Sequence, residues 1–90
     1  MFNNKSIFIS GGTGSFGNKF VETILKRYKP KRIVIYSRDE YKQLIMQERF
    51  SPKKYNCLRF FIGDVRDLNR LKMAMRGSDY VVHAAALKQV

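Results

Sequence analysis

The sequence predicts an α/β fold, a parallel sheet with helices on both faces, and three observations carry the prediction. Four short apolar runs recur along the chain: Ile7 to Ile9, Ile33 to Tyr36, Phe60 to Ile62 and Tyr80 to Val82. Each is apolar on consecutive residues rather than on alternate ones, as strands covered on both faces require. The segments between them have helical period and carry start and stop signals.

Taken in order, the first connecting segment places Phe20, Val21, Ile24, Leu25 and Tyr28 on one helical stripe, and Pro30 ends it. In the second, Ser37 and Glu40 stand at capping-box spacing and open a helix expected to turn Tyr41, Leu44 and Ile45 inward. In the third, Asp67 is placed to cap a helix with Leu68, Leu71, Ala74 and Met75 inward. Gly77 then stands where a left-handed residue past the helix end is wanted. Strand and helix alternate throughout, and right-handed crossovers arrange such a chain as a parallel sheet of order 3-2-1-4, the N-terminal half of a Rossmann fold. Ligands of such sheets bind at the carboxyl ends of the strands, near the switch between the first strand and the fourth.

The most informative sequence lies at that switch. Ser10-Gly11-Gly12-Thr13-Gly14-Ser15-Phe16-Gly17 follows the first strand and opens an amphipathic helix. It contains both GxGxxG and GxxGxxG, in the strand-to-helix context that a dinucleotide-binding turn needs. Gly11 permits the tight exit from the strand, Gly14 lets backbone approach a diphosphate, and Gly17 lets the helix sit close to the strand. The amides at the helix start face the diphosphate. A P-loop is disfavoured, because Gly17 is followed by Asn18 and Lys19 arrives one residue late without a following Ser or Thr.

The end of the second strand chooses the cofactor. An acid there would accept hydrogen bonds from a ribose 2′-hydroxyl, whereas an Arg accommodates a 2′-phosphate. The chain has Tyr36-Ser37-Arg38, with Ser37 able to donate and Arg38 able to offer a planar fork, so NADP is expected over NAD. Asp39 and Glu40 read as the acidic first turn of the next helix. After the third strand, Asp64 is read either as a turn former or as an acceptor for an adenine amino group.

Composition bounds the rest. Ninety residues with 44% hydrophobic and 13% aromatic content make one small domain with a packed core. The single cysteine, Cys57, forms no internal disulfide, which points to a reducing cytoplasm. The apolar run near the N-terminus is too short for a signal peptide or a membrane span. Eighteen Lys and Arg against seven Asp and Glu give +11, but the excess is spread around helix ends and outer faces. No nucleic-acid motif accompanies it, so nucleic acid is not the expected partner.

SGGTGSFG, IYSRDE, FFIGDVRD and DYVVHAAALKQV together resemble the extended short-chain dehydrogenase/reductase family, and within it the inverting UDP-N-acetylglucosamine 4,6-dehydratases of surface-sugar biosynthesis. The likeness runs over the whole chain, and the pairing of SRDE with HAAALKQV is its more specific part. The resemblance implies that Gly11, Thr13, Gly14, Ser15, Phe16 and Gly17 hold the diphosphate and that Ser37 and Arg38 hold the 2′-phosphate. It further implies that Asp64 and Val65 contact adenine, that Ala84, Ala85 and Ala86 line the cofactor, and that Lys88 lies near the active site. His83 is read as a hydrogen-bonded residue at a strand tip that supports the cofactor pocket. The implied reaction moves a hydride from sugar C4 to NADP, eliminates water across C5 and C6, and returns the hydride to C6 with C5 inverted.

In that family the catalytic residues lie beyond the fourth strand, so no catalytic residue and no metal ligand is assigned here. The fourth strand is also expected to lack neighbours on its outer side, which marks the chain as a fragment of a longer enzyme. That parent is expected to take a UDP-sugar, to form a homo-oligomer and to have no membrane attachment. The alternatives are a non-catalytic NADP-binding regulatory module and a basic nucleic-acid-binding protein, since fold alone decides neither.

Overall fold

A computed structural model describes residues 1–84. The elements run β1 (Ser6–Ser10), α1 (Ser15–Arg27), β2 (Arg32–Ser37), α2 (Glu40–Arg49), β3 (Leu58–Ile62), α3 (Leu68–Met75) and β4 (Tyr80–His83). The four strands form one parallel sheet of order β3-β2-β1-β4, as the sequence predicts.

The consecutive apolar residues of β1 and β2 supply two cores because neighbouring side chains leave a strand on opposite faces. Ile7, Ile9, Ile33 and Ile35 pack with Val21 and Ile24 of α1 and Met46 of α2. Phe8, Val34 and Tyr36 pack on the other face with Ala74 of α3, joined by partly buried Leu71 and Met75. Each fully buried Ile, Val, Phe or Met among them contributes roughly 1.5–3 kcal/mol. Coverage on both faces holds for β1 and β2, whereas β3 and β4 flank the described sheet and are partly open.

Two helical faces differ from expectation. The cap of α2 is Asp39, which accepts from Lys42 N–H at 2.9 Å, and Ser37 remains the last residue of β2. The helix therefore buries Gln43 and Met46, with Phe50 behind them, while Tyr41 and Leu44 are 71% and 57% exposed and Ile45 also faces out. Apolar spacing alone selected the outer stripe, because the residue that sets the inner one is a glutamine. In α3, Asp67 caps as expected and Gly77 takes φ +78°, but Leu68 is exposed and the inward residues reduce to Leu71, Ala74 and Met75.

Candidate cofactor site

The turn after β1 is built from backbone. Gly11 takes φ +67°, a left-handed conformation that glycine adopts without steric cost, while its N–H still donates to Tyr36 O at 2.9 Å. The chain therefore leaves the sheet abruptly at the carboxyl end of β1. Gly14 is the N-cap of α1, with no side chain bonded to the first helical amides and no acid in the first turn. Those amides and the positive helix end are free to meet an anion. Gly17 closes the turn: a Cβ there would stand 2.1 Å from Gly12 O, so the helix start lies directly on the turn's own backbone. The sequence reading placed this close approach against the strand; Gly12, whose own Cβ would meet Ile35 at 3.0 Å and Ile9 at 3.1 Å, occupies that layer instead.

A groove of about 360 Å³ opens at the carboxyl ends of β1, β2 and β3. It brings together Gly11, Ser37, Arg38, Asp64 and Val65 among the expected residues, with Tyr36, Asp39, Gly63 and Arg66 completing its walls. Thr13, Gly14 and Ser15 line a second hollow between α1 and α2, shared with Asn18, Lys19 and Lys42. A hydrogen bond of 3.4 Å from Thr13 Oγ1 to Ser37 Oγ links the two sides. Phe16 lies outside both, with its ring stacked on Phe20 at 5.9 Å, and Ala84 is buried in the core. Ala85, Ala86 and Lys88 lie outside the described residues.

Asp64 is the electrostatic hub of the groove. Its carboxylate accepts from the Arg66 backbone N–H at 2.8 Å, from Arg66 Nε at 3.2 Å and Nη2 at 2.9 Å, and from Arg38 Nη1 at 3.3 Å. The hydrogen bonds from Arg66 hold the Asp64 carboxyl well below the usual carboxylate range, with Arg38 adding to the effect. Of its two sequence readings, turn former and adenine acceptor, the first accounts for these bonds. The Tyr36 hydroxyl donates to Asp64 O at 2.8 Å from a fully buried ring, which pins the loop to β2. Burial pushes the Tyr36 phenol above its ordinary value, so it remains a donor at neutral pH.

A depressed carboxyl contributes stability above its unfolded value, and that contribution is lost only as pH falls through the lower folded value. An NMR titration is therefore expected to place the Asp64 midpoint clearly below that of an ordinary aspartate, with Arg66→Ala returning it upward. An ordinary midpoint in the unsubstituted chain would contradict the pairing.

Four residues of the site were not legible from motif spacing. Asn18 donates through Nδ2 to Thr13 O at 3.1 Å and Gly14 O at 3.0 Å, bracing the turn, and accepts from Arg49 at 3.4 Å. Tyr36 and Arg66 hold Asp64, and Gln43 reaches Ser37 from beneath. Only Gln43 carried a sequence signal, a polar residue at helical spacing from Met46 and Phe50. His83 joins its Nδ1 to Ser10 Oγ, tying the ends of β4 and β1 beside the turn. Among the described residues, no helix is long and apolar enough to cross a membrane.

Comparison with known proteins places this geometry in a family. The chain is 57% identical over 90 residues to the UDP-N-acetylglucosamine 4,6-dehydratase (inverting) of Campylobacter jejuni subsp. jejuni serotype O:23/36. It is 52% identical over 93 aligned residues to the UDP-glucose 4-epimerase of Rickettsia akari. All of this chain is matched in both cases, but it spans 26% of the length of each relative. Among solved structures, that of Pen from Bacillus thuringiensis superposes with a TM-score of 0.84 at 38% identity, over 92% of this chain and 25% of that one. An NADPH-bound carbonyl reductase from chicken fatty liver shares the fold with a TM-score of 0.68 at 19% identity, over 88% of this chain and 35% of that one. Residues 7–90 match the family described as polysaccharide biosynthesis protein, and the chain belongs to that family.

Proposed function

We propose that this chain is the NADP-binding portion of a sugar nucleotide dehydratase acting on UDP-N-acetylglucosamine. The observation that carries the reading is the donor set around the groove: a cap-free helix start at Gly14, the Ser37 hydroxyl, and an Arg38 side chain that is 73% exposed. No carboxylate ends β2, and of the two acids lining the groove Asp39 caps α2 while Asp64 is engaged by two arginines. Such a set suits a diphosphate joined to a 2′-phosphorylated ribose better than one bearing a free 2′-hydroxyl. When bound, the nicotinamide accepts and returns the hydride. The residues of this chain bind and orient it, and the chemistry on C5 and C6 belongs to residues of a longer, oligomeric, cytoplasmic parent.

The dehydratase is preferred because SRDE with HAAALKQV carries the resemblance to that subgroup, and the Campylobacter relatives bear its name. A second reading, a UDP-sugar 4-epimerase, is favoured by the Rickettsia relatives. Both names specify a UDP-linked sugar, so the substrate class is common to them.

Calorimetric titration of the folded chain is expected to show uptake of NADP, with NAD binding more weakly. Absence of uptake of either would overturn the proposal. With the full-length parent, UDP-N-acetylglucosamine is expected to yield a product lighter by one water; a product of unchanged mass would support the epimerase instead.

A further inference from the structure

Gln43 is 1% exposed, an amide in a place where an apolar residue would cost nothing in hydrogen bonds. Its Nε2 stands 3.2 Å from Ser37 O, 3.2 Å from Ser37 Oγ and 3.1 Å from Phe61 O. Two of those partners are carbonyl oxygens, which only accept, so the nitrogen and not the oxygen of the amide must face them. The nitrogen carries two hydrogens for three acceptors, so toward Ser37 Oγ Gln43 is a shared donor and never an acceptor. Thr13 Oγ1 stands 3.4 Å from the same oxygen, and either hydroxyl of that pair can donate.

A hydroxyl has two lone pairs and one hydrogen. Because the Gln43 nitrogen only donates, the Ser37 hydrogen cannot point beneath and turns either to Thr13 or to the groove that Ser37 lines beside Arg38. We propose that Gln43 is a positioning residue that holds Ser37 Oγ at the groove with its hydrogen turned away from α2, ready to donate to a phosphate ester bound beside Arg38. A phosphate oxygen takes that hydrogen and needs nothing in return. A ribose 2′-hydroxyl can accept the same bond but brings no charge to strengthen it.

The inference rests on the NADP reading and adds to it the source of the discrimination. Its test compares NADP and NAD affinities of the chain carrying Gln43→Met, Ser37→Ala, both, or Thr13→Val. Losing the orientation that Gln43 gives to Ser37 is expected to lower the NADP-to-NAD affinity ratio about tenfold in Gln43→Met. Ser37→Ala is expected to lower it as much or more, and the double variant no further than Ser37→Ala, because Gln43 acts through Ser37. Thr13→Val, at a partly exposed position that leaves the core untouched, is expected to lower the ratio about threefold. Should Gln43→Met fail to fold, an unchanged ratio in Ser37→Ala overturns the proposal by itself.

An unchanged ratio in the folded variants, or additive effects of Gln43→Met and Ser37→Ala, would overturn the positioning role while leaving cofactor binding intact. Equal affinity of the unsubstituted chain for NADP and NAD would do the same. If the unsubstituted chain takes up neither, the cofactor reading fails and this inference with it. Slow exchange of the Gln43 side-chain amide protons in ligand-free protein is expected in every case, and rapid exchange would remove the hydrogen-bond arrangement itself.

Discussion

Gly17→Ala is expected to destabilise the chain by about 3 kcal/mol or more, a large share of the 5–15 kcal/mol on the order of which such domains are stable. The added Cβ would sit 2.1 Å from Gly12 O, 2.4 Å from Gly12 C and 2.5 Å from Gly12 Cα. All three are backbone atoms, so no rotamer change makes room. Gly12 cannot retreat either, because behind it stand Ile9 and Ile35, both fully buried in the central strands. The helix start must lift off the turn, taking Val21 and Ile24 away from the sheet they cover. Urea denaturation is expected to show a much lower midpoint, or no folded baseline at all. A midpoint equal to that of the unsubstituted chain would mean that the turn is looser than its geometry requires.

Arg38→Ala is expected to leave the fold untouched and to change cofactor choice. The side chain is 73% exposed, and its one described ion pair, with Asp64, duplicates contacts that Arg66 already makes. Exposed pairs of this kind contribute little to stability. A charge-assisted bond to a 2′-phosphate is a different matter, worth roughly 1.5–3 kcal/mol, so NADP affinity is expected to fall by about 10- to 150-fold. NAD, which lacks that phosphate, is expected to lose at most a few-fold. Equal losses for both cofactors would remove Arg38 from phosphate recognition and place it in general binding of the dinucleotide.

These two substitutions separate what was readable along the chain from what was not. The alternation of apolar runs with amphipathic segments gives the parallel sheet of order 3-2-1-4, because strand burial and crossover handedness leave few other arrangements. The glycine spacing and the Ser37-Arg38 pair mark the site because both are local, each lying within one turn or at one strand end. The face of α2 was not readable. Its apolar stripe at Tyr41, Leu44 and Ile45 points outward, and a buried glutamine takes the inner position.

From sequence alone, then, come the order of the elements, the turn at Gly11 to Gly17 and the types of residue at the end of β2. Tertiary structure alone decides that Gly17 rests on Gly12, that Asp64 is engaged by Arg66 and Arg38, and that Gln43 meets Ser37. The physical reason is range. Propensity and periodicity act between near neighbours, whereas the direction of a hydrogen bond in a buried network is set by groups from β1, β2, β3 and α2 that meet only after the sheet has formed.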